Sequence, residues 1–295
     1  MKDMKAIIPA AGKGTRFLPA SKAVCKEMLP VLDKPAIQYV VEEALAAQAS
    51  EVVIICNDDK PEIAQHFSPQ VDLERSLEDK GKHELAQSVR HAGSLPVSFA
   101  EQPVALGLGH AVHCAAEFVN KDDAGFYVLL GDVLVPGNEL LKRMRAVSEA
   151  YNNASVIAVI SVPMEEVSRF GVIDAELMSG SQQDGTAVWR IRGMVEKPAQ
   201  EDAPSNLAIF GRYLLAPAVM RLLGTTAPGA GGEIQLTDAL IELLKEEEMY
   251  AIQVGADEGF DCGTIADWLT TNMILAARDE ELSEALQAAC DKISG

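Results

Sequence analysis

The chain has 295 residues, 48% of them hydrophobic, enough for a substantial core without disulfide staples. Its 25 Lys and Arg stand against 44 Asp and Glu, a formal net charge of −19. That balance argues against duplex nucleic acid or an anionic membrane as partner, since both need a positive face. Anionic substrates must then be captured by local Lys and Arg.

In chain order, Lys5–Pro9 is a short apolar run followed by a glycine-bearing loop. Pro35–Ala47 carries Ile37, Val40, Val41, Ala44 and Leu45 at helical spacing, with Pro35 near its start. Glu51–Cys56 reads as a strand buried on both faces, the kind found inside parallel sheets. Pro96–Ala100, Phe126–Leu130 and Ala154–Val162 continue the strand series, with helices predicted over Gly109–Val119 and Asn138–Ala150. This alternation predicts right-handed βαβ units and an α/β, Rossmann-like, open and mostly parallel sheet with helices on both faces.

After Pro163 the pattern changes. Gly171–Ala175 and Ala187–Glu196 read as antiparallel strands around a polar connection at Ser179–Gly185. Asn206–Leu214 is a further strand, followed by helices near Pro217–Leu223 and Leu236–Glu247. Ile265–Ser294 reads as helical. There Leu282, Ala285, Leu286, Ala289 and Ile293 form one apolar stripe, expected to pack on the body or on another subunit. Without repeats or a low-complexity linker, one elaborated domain over 1–295 is expected. The five cysteines, Cys25, Cys56, Cys114, Cys262 and Cys290, contain no CxxC pair. Their odd count, the lack of a visible signal peptide and apolar runs too short for a bilayer point to a soluble, cytoplasmic protein.

The first loop reads Pro9-Ala10-Ala11-Gly12-Lys13-Gly14-Thr15-Arg16, with Lys26 following ten residues later. Small residues let the backbone approach a phosphate, consecutive N–H groups donate to its oxygens, and Arg16 and Lys26 neutralise charge. The spacing is not that of a P-loop. The dinucleotide fingerprint also fails, since Phe17 stands where a third small residue belongs. The pattern fits a nucleoside triphosphate cradle.

Four further segments accompany it: Lys26-Glu27-Met28-Leu29-Pro30, Glu101-Gln102 with Gly107-Leu108-Gly109, Gly131-Asp132, and Val195-Glu196-Lys197-Pro198. Together with longer strings at Lys26–Ala44, Glu101–Val112, Arg169–Ile173 and Gly229–Ala239, they make the chain resemble the sugar-nucleotide pyrophosphorylases, from about Lys5 to Trp268. The resemblance implies a sugar nucleotidyltransferase. Its open mixed, mostly parallel sheet would carry an antiparallel sugar-binding insertion and C-terminal helices. Residues 1–162 would mainly hold nucleotide, 163–264 sugar phosphate, and 265–295 would form the helical end.

The implied reaction is UTP plus glucose 1-phosphate giving UDP-glucose plus pyrophosphate, with Mg²⁺ as cofactor. By resemblance, Ala10, Ala11, Gly12, Gly14 and Thr15 contact nucleotide and phosphates, while Arg16 and Lys26 hold the triphosphate and its departing pyrophosphate. Gln102 would hydrogen-bond the uracil edge, where an amide offers donor and acceptor. Gly107 would leave room for the base. Asp132 matches the metal-binding aspartate and Asp261 a second acidic position near it. Glu196 would accept from sugar hydroxyls, Lys197 would pair with the sugar phosphate, and Gly171 would line the sugar pocket.

A dimer or tetramer is implied as well. A dTTP-using or other sugar-phosphate-using relative, and a non-catalytic UDP-glucose-binding paralogue, are the competing readings. Cys25 occupies a position where relatives often carry proline. It is expected to be tolerated variation and not a nucleophile, because this chemistry needs none, although beside Lys26 its thiol is open to a low pKa. His110 and His113, one helical turn apart, are expected to pack on the helix after the uracil loop rather than bind metal.

Overall fold

A computed structural model describes residues 4–178, 187–255 and 257–294, so the expected connection Ser179–Gly185 lies outside the described residues. The apolar runs of the first half form β1 (Ala6–Pro9), β2 (Val52–Cys56), β3 (Val97–Glu101), β4 (Phe126–Leu129) and β5 (Ser155–Ser161). The second half adds β6 (Gly171–Leu177), β7 (Val188–Glu196), β8 (Leu207–Leu215) and β9 (Met249–Gln253). All nine join one sheet in the order β3-β2-β1-β4-β8-β5-β9-β7-β6.

Strand pleating divides the apolar side chains between two faces. Ala6, Ile8, Val52, Ile54, Tyr127 and Leu129 enter one core, against helices α1 (Ala36–Ala46) and α6 (Glu139–Ala150). Ile7, Val53, Ile55, Phe126 and Val128 enter the other, against α5 (Leu108–His113), α7 (Ala218–Leu223) and α8 (Leu236–Leu243). Helices α2 (Pro61–His66), α3 (Val71–Asp79) and α4 (His83–Ser94) follow β2, and α9 (Ile265–Arg278) and α10 (Leu282–Ser294) end the chain.

The sheet departs from the expected open, mostly parallel form. Strands β3, β2, β1 and β4 are parallel, but β8 runs antiparallel to both β4 and β5. A pair between Val172 and Ala208 then returns β6 to β8, closing β8, β5, β9, β7 and β6 into a five-strand ring. Bending makes this return feasible. The register of β8 shifts between Ile209 and Tyr213, around Gly211 at φ 65, and that of β7 shifts between Ile191 and Gly193.

Ile265–Ser294 is predominantly helical, as expected, with a break at Asp279, whose Oδ1 accepts from the N–H groups of Glu281 and Leu282 and so starts α10. The stripe on α10 is largely open among the described residues, with Ile293 85% exposed. One further expectation needs correction. The predicted helix 109–119 is shorter, ending at His113 before a single 3-10 turn at Ala116–Phe118.

Candidate functional site

The loop between β1 and the next turn leaves the sheet at the carboxyl end of a central parallel strand, where α/β sheets hold ligands. Ala11, Gly12, Lys13, Gly14, Thr15 and Arg16 line a cavity of about 670 Å³ with Lys26, Gln102, Gly107 and Asp132. Gly14 takes φ 60, and a Cβ there would press at 3.3 Å on the Cβ atoms of Lys26 and Ser21. Glycine thus serves both the turn and the approach of Lys26. Ala10 sits beneath the loop instead of lining the cavity. Its N–H donates to Ile55 and its carbonyl accepts from Lys60 Nζ.

Lys60 was not singled out by sequence, yet it braces two phosphate-loop segments. Its ammonium, nearly buried, also donates to Glu27 Oε2 at 2.8 Å, next to Lys26. Lys26 Nζ in turn donates to Asp132 Oδ2 at 2.6 Å. Burial works against the charges of both groups. Their mutual attraction outweighs it, raising the Lys26 pKa and holding Asp132 below the usual carboxylate range.

Asp261 reaches the same place from a distant part of the chain. It pairs with Val133 in a short antiparallel ladder, and the next N–H, of Cys262, donates to Asp132 O at 2.7 Å. A Cβ on Gly263 would stand 2.8 Å from Asp261 Oδ1, 3.5 Å from Arg16 Nη1 and 3.6 Å from Asp132 Oδ2. The crevice at Gly263 is therefore shared by two carboxylates and a guanidinium. Burial raises the Asp261 pKa, and the facing Asp132 adds to it. Two opposed carboxylate groups are a donor set that suits a hard divalent cation with few protein ligands. No cluster of three or more metal-ligating side chains occurs among the described residues.

At the base end, Gly107 has φ 103, and a Cβ there would collide with Glu233 Cβ and Ile234 O, both 2.8 Å away. The Gly229–Ala239 string is the reason. Ile234 donates to Leu106 O and accepts from the N–H of Gly109, fastening one glycine-rich segment across another. Gln102 follows β3, and its Nε2 contacts Gly107 O at 3.1 Å and His110 Nδ1 at 2.9 Å.

A second, smaller cavity of about 160 Å³ adjoins the first, with Leu108 and Leu130 lining both. Gly171, Glu196, Tyr213 and Thr237 are among its walls. A Cβ on Gly171 would lie 3.1 Å from Glu196 Oε2 and 3.0 Å from Ile209 Cδ1, so this glycine keeps the pocket open. Glu196 Oε2 accepts from Thr237 Oγ1 at 2.7 Å, while Oε1 faces Lys197 Nζ at 3.4 Å. Lys197 stands at the rim, half exposed and at φ 45, its N–H donating to Phe170 O. Sequence reasoning missed Thr237, although it lies within the Gly229–Ala239 string.

A larger hollow of about 950 Å³ lies among α1, α2 and α4, lined by Gln38, Glu42, His66 and His91. It shares no lining residue with the loops just described. The chemistry, not the volume, marks the smaller pair of cavities as the site.

A glycine-rich loop lined by Arg16 and Lys26 and an adjoining polar pocket on a mixed α/β sheet fit a nucleotidyl-transferring enzyme. The nucleotidyl transferase family matches residues 5–278, and the chain belongs to that family. It is 43% identical to the UTP–glucose-1-phosphate uridylyltransferase of Staphylococcus epidermidis over 97% of both chains. Its structure is similar to a UTP-bound UGPase from Acinetobacter baumannii, at TM-score 0.86 and 35% identity over 98% of each chain. A UDP-glucose pyrophosphorylase complexed with UDP-glucose matches at TM-score 0.80 and 36% identity, covering 94% of this chain and 100% of that one.

Proposed function

We propose that the protein transfers the uridylyl group of UTP to glucose 1-phosphate, forming UDP-glucose and pyrophosphate. The observation that carries this is the pair of cavities sharing Leu108 and Leu130. One holds cations, small residues and a carboxylate, while the other holds Glu196 and Thr237. Relatives and solved structures named for this activity along nearly the whole chain support the choice of substrates.

A phosphate oxygen of glucose 1-phosphate forms the new bond to the α-phosphorus of UTP as the bond to pyrophosphate breaks opposite it. That oxygen is ionised at neutral pH, so alignment and charge neutralisation replace any side-chain nucleophile or dedicated base. In this reading the N–H groups around Gly12, Gly14 and Thr15 cradle the triphosphate, and Arg16 and Lys26 neutralise the departing pyrophosphate. Asp132 and Asp261 would hold Mg²⁺, which supplies charge neutralisation between phosphate oxygens. Lys197 pairs with the sugar phosphate. Glu196 accepts from sugar hydroxyls, with Thr237 fixing one of its oxygens.

The division of labour follows the chain, with residues 1–162 serving mainly the nucleotide and 163–264 mainly the sugar phosphate. Free cysteines fit a reducing cytoplasm. The exposed apolar residues Ile265, Leu269 and Met273 on α9, with Leu282 and Ile293 on α10, support a homo-oligomer, a dimer or tetramer. The test is pyrophosphate release with Mg²⁺ across a panel of UTP, dTTP and CTP against several sugar 1-phosphates. UTP with glucose 1-phosphate should dominate; dominant turnover with dTTP would overturn the assignment.

A further inference from the structure

We infer that His110 is a specificity-positioning residue: together with the Gly107 carbonyl it holds the orientation of the Gln102 amide so that a carbonyl, not an amide N–H, faces the nucleobase. This rests on the reading of Gln102 as the base contact. The geometry starts from the carbonyl of Gly107, which can only accept, so the Gln102 group 3.1 Å from it must be the NH₂. The same nitrogen lies 2.9 Å from His110 Nδ1. Its second hydrogen is therefore spent there, and Nδ1 must be the unprotonated nitrogen of the ring. The ring proton then belongs on Nε2, which lies 4.0 Å from Cys114 Sγ, one turn further along.

With both amide hydrogens committed, Gln102 has only Oε1 to offer a ligand. An acceptor at that position pairs with the N3–H of uracil or thymine and meets a lone pair at N3 of cytosine. A glutamine amide held by one acceptor turns over more readily than one held by two, and a turned amide serves cytosine. Discrimination against CTP thus draws on a histidine with no need to touch the nucleotide as well as on the Gly107 carbonyl. His110 and Gln102 are linked through a rigid frame as well, because Gly107 and Gly109 are pinned by the 233–234 backbone.

The experiment measures kcat/KM for UTP and CTP with glucose 1-phosphate in the wild type, Gln102→Leu, His110→Leu and His110→Lys. His110→Leu removes the acceptor and should lower the UTP-over-CTP ratio about tenfold. His110→Lys offers only donors and should lower it further by favouring the turned amide. A mere packing role would reduce turnover with both nucleotides equally and leave the ratio intact. If Gln102→Leu collapses the ratio while both His110 variants keep it within about twofold, the positioning role is wrong and the base-reading role survives. If Gln102→Leu also leaves the ratio unchanged, the base-reading role falls and takes this inference with it. A second measurement uses the intact wild-type fold: imidazole ¹⁵N resonances of His110 should show a bare Nδ1 and a protonated Nε2. A protonated Nδ1 overturns the proposal.

Discussion

The guanidinium of Arg212 lies fully buried against the carboxylate of Glu43, with Nη2 to Oε2 at 2.7 Å and Nε bonded to both carboxylate oxygens. The remaining donors reach Leu130 O at 3.2 Å and Val133 O at 2.7 Å, the carbonyls on either side of Gly131-Asp132. A core ion pair thereby fixes the loop that presents Asp132. Arg212→Met strips Glu43 of its partner in a core where burial already raises its pKa, and should cost about 3–5 kcal/mol of stability. Urea denaturation measures the loss. Glu43→Gln leaves the Arg212 guanidinium, which cannot deprotonate, buried without its counter-charge and should cost a comparable amount. An Arg212→Met protein as stable as wild type would show that the pair does not hold the loop.

Asp132→Ala tests the metal reading. The variant frees Lys26 of its partner, and since both side chains are only partly buried the fold should survive. Turnover should fall about a thousandfold, a loss of several kcal/mol of transition-state stabilisation. The Mg²⁺ concentration giving half-maximal rate should rise in Asp261→Asn, which keeps the Gly263 crevice but removes one charge. Undiminished Mg²⁺-dependent activity in Asp132→Ala would remove this residue from the mechanism.

On the sugar side, Lys197→Ala should raise KM for glucose 1-phosphate about tenfold while KM for UTP stays near its wild-type value. The effect is modest because Lys197 stands at the solvent-exposed rim. Thr237→Val should act on the same substrate by a different route. It releases Glu196 Oε2 from the Thr237 hydroxyl while preserving side-chain shape. Steady-state kinetics with each substrate varied in turn separates these cases. A matching rise in KM for UTP would contradict both assignments.

The parallel half of the fold was legible because β1, β2 and β4 are apolar on both faces, as only interior parallel strands need to be. Helices α2 to α4 were not read. Helix α3 buries no residue and α4 only Ala86 and Ala92, so few apolar residues mark them against a polar background, and surface pairs such as Arg90 with Glu74 and Glu78 accompany them. Strand β9 is only five residues long and follows directly on an acidic run that reads as a helix end.

The gathering of Gly12–Arg16 with Lys26 around one cavity was legible from local spacing, while the supports of that loop were not. Lys60 meets Glu27 across 33 positions and Arg212 meets Glu43 across 169, and no local pattern encodes such partners. One signal was available: an arginine inside the apolar run Leu207–Leu215 has to find an acid. The ring closure of the sheet escaped for a similar reason, since a single pair, Val172 with Ala208, makes it.

Cys25 beside Lys26 invites the idea of a reactive thiolate, and the structure argues the reverse. Burial pushes its pKa up to about 12, helped by Glu62, whose Oε1 accepts the Cys25 N–H at 2.9 Å, and by Glu27. Lys60 opposes this only weakly, because its charge is directed at Glu27. A thiol raised this far holds almost no thiolate at neutral pH, and the thiolate is the nucleophile. In timed iodoacetamide labelling of the folded protein at pH 7.5, read by peptide mass spectrometry, Cys25 should stay unmodified while the partly exposed Cys290 reacts first. Glu62→Gln removes one of the two carboxylates that raise the pKa, and should increase Cys25 labelling without exposing the residue. Rapid modification of Cys25 in the native wild type would show that the loop opens far more readily than its brace through Lys60 and Glu62 allows.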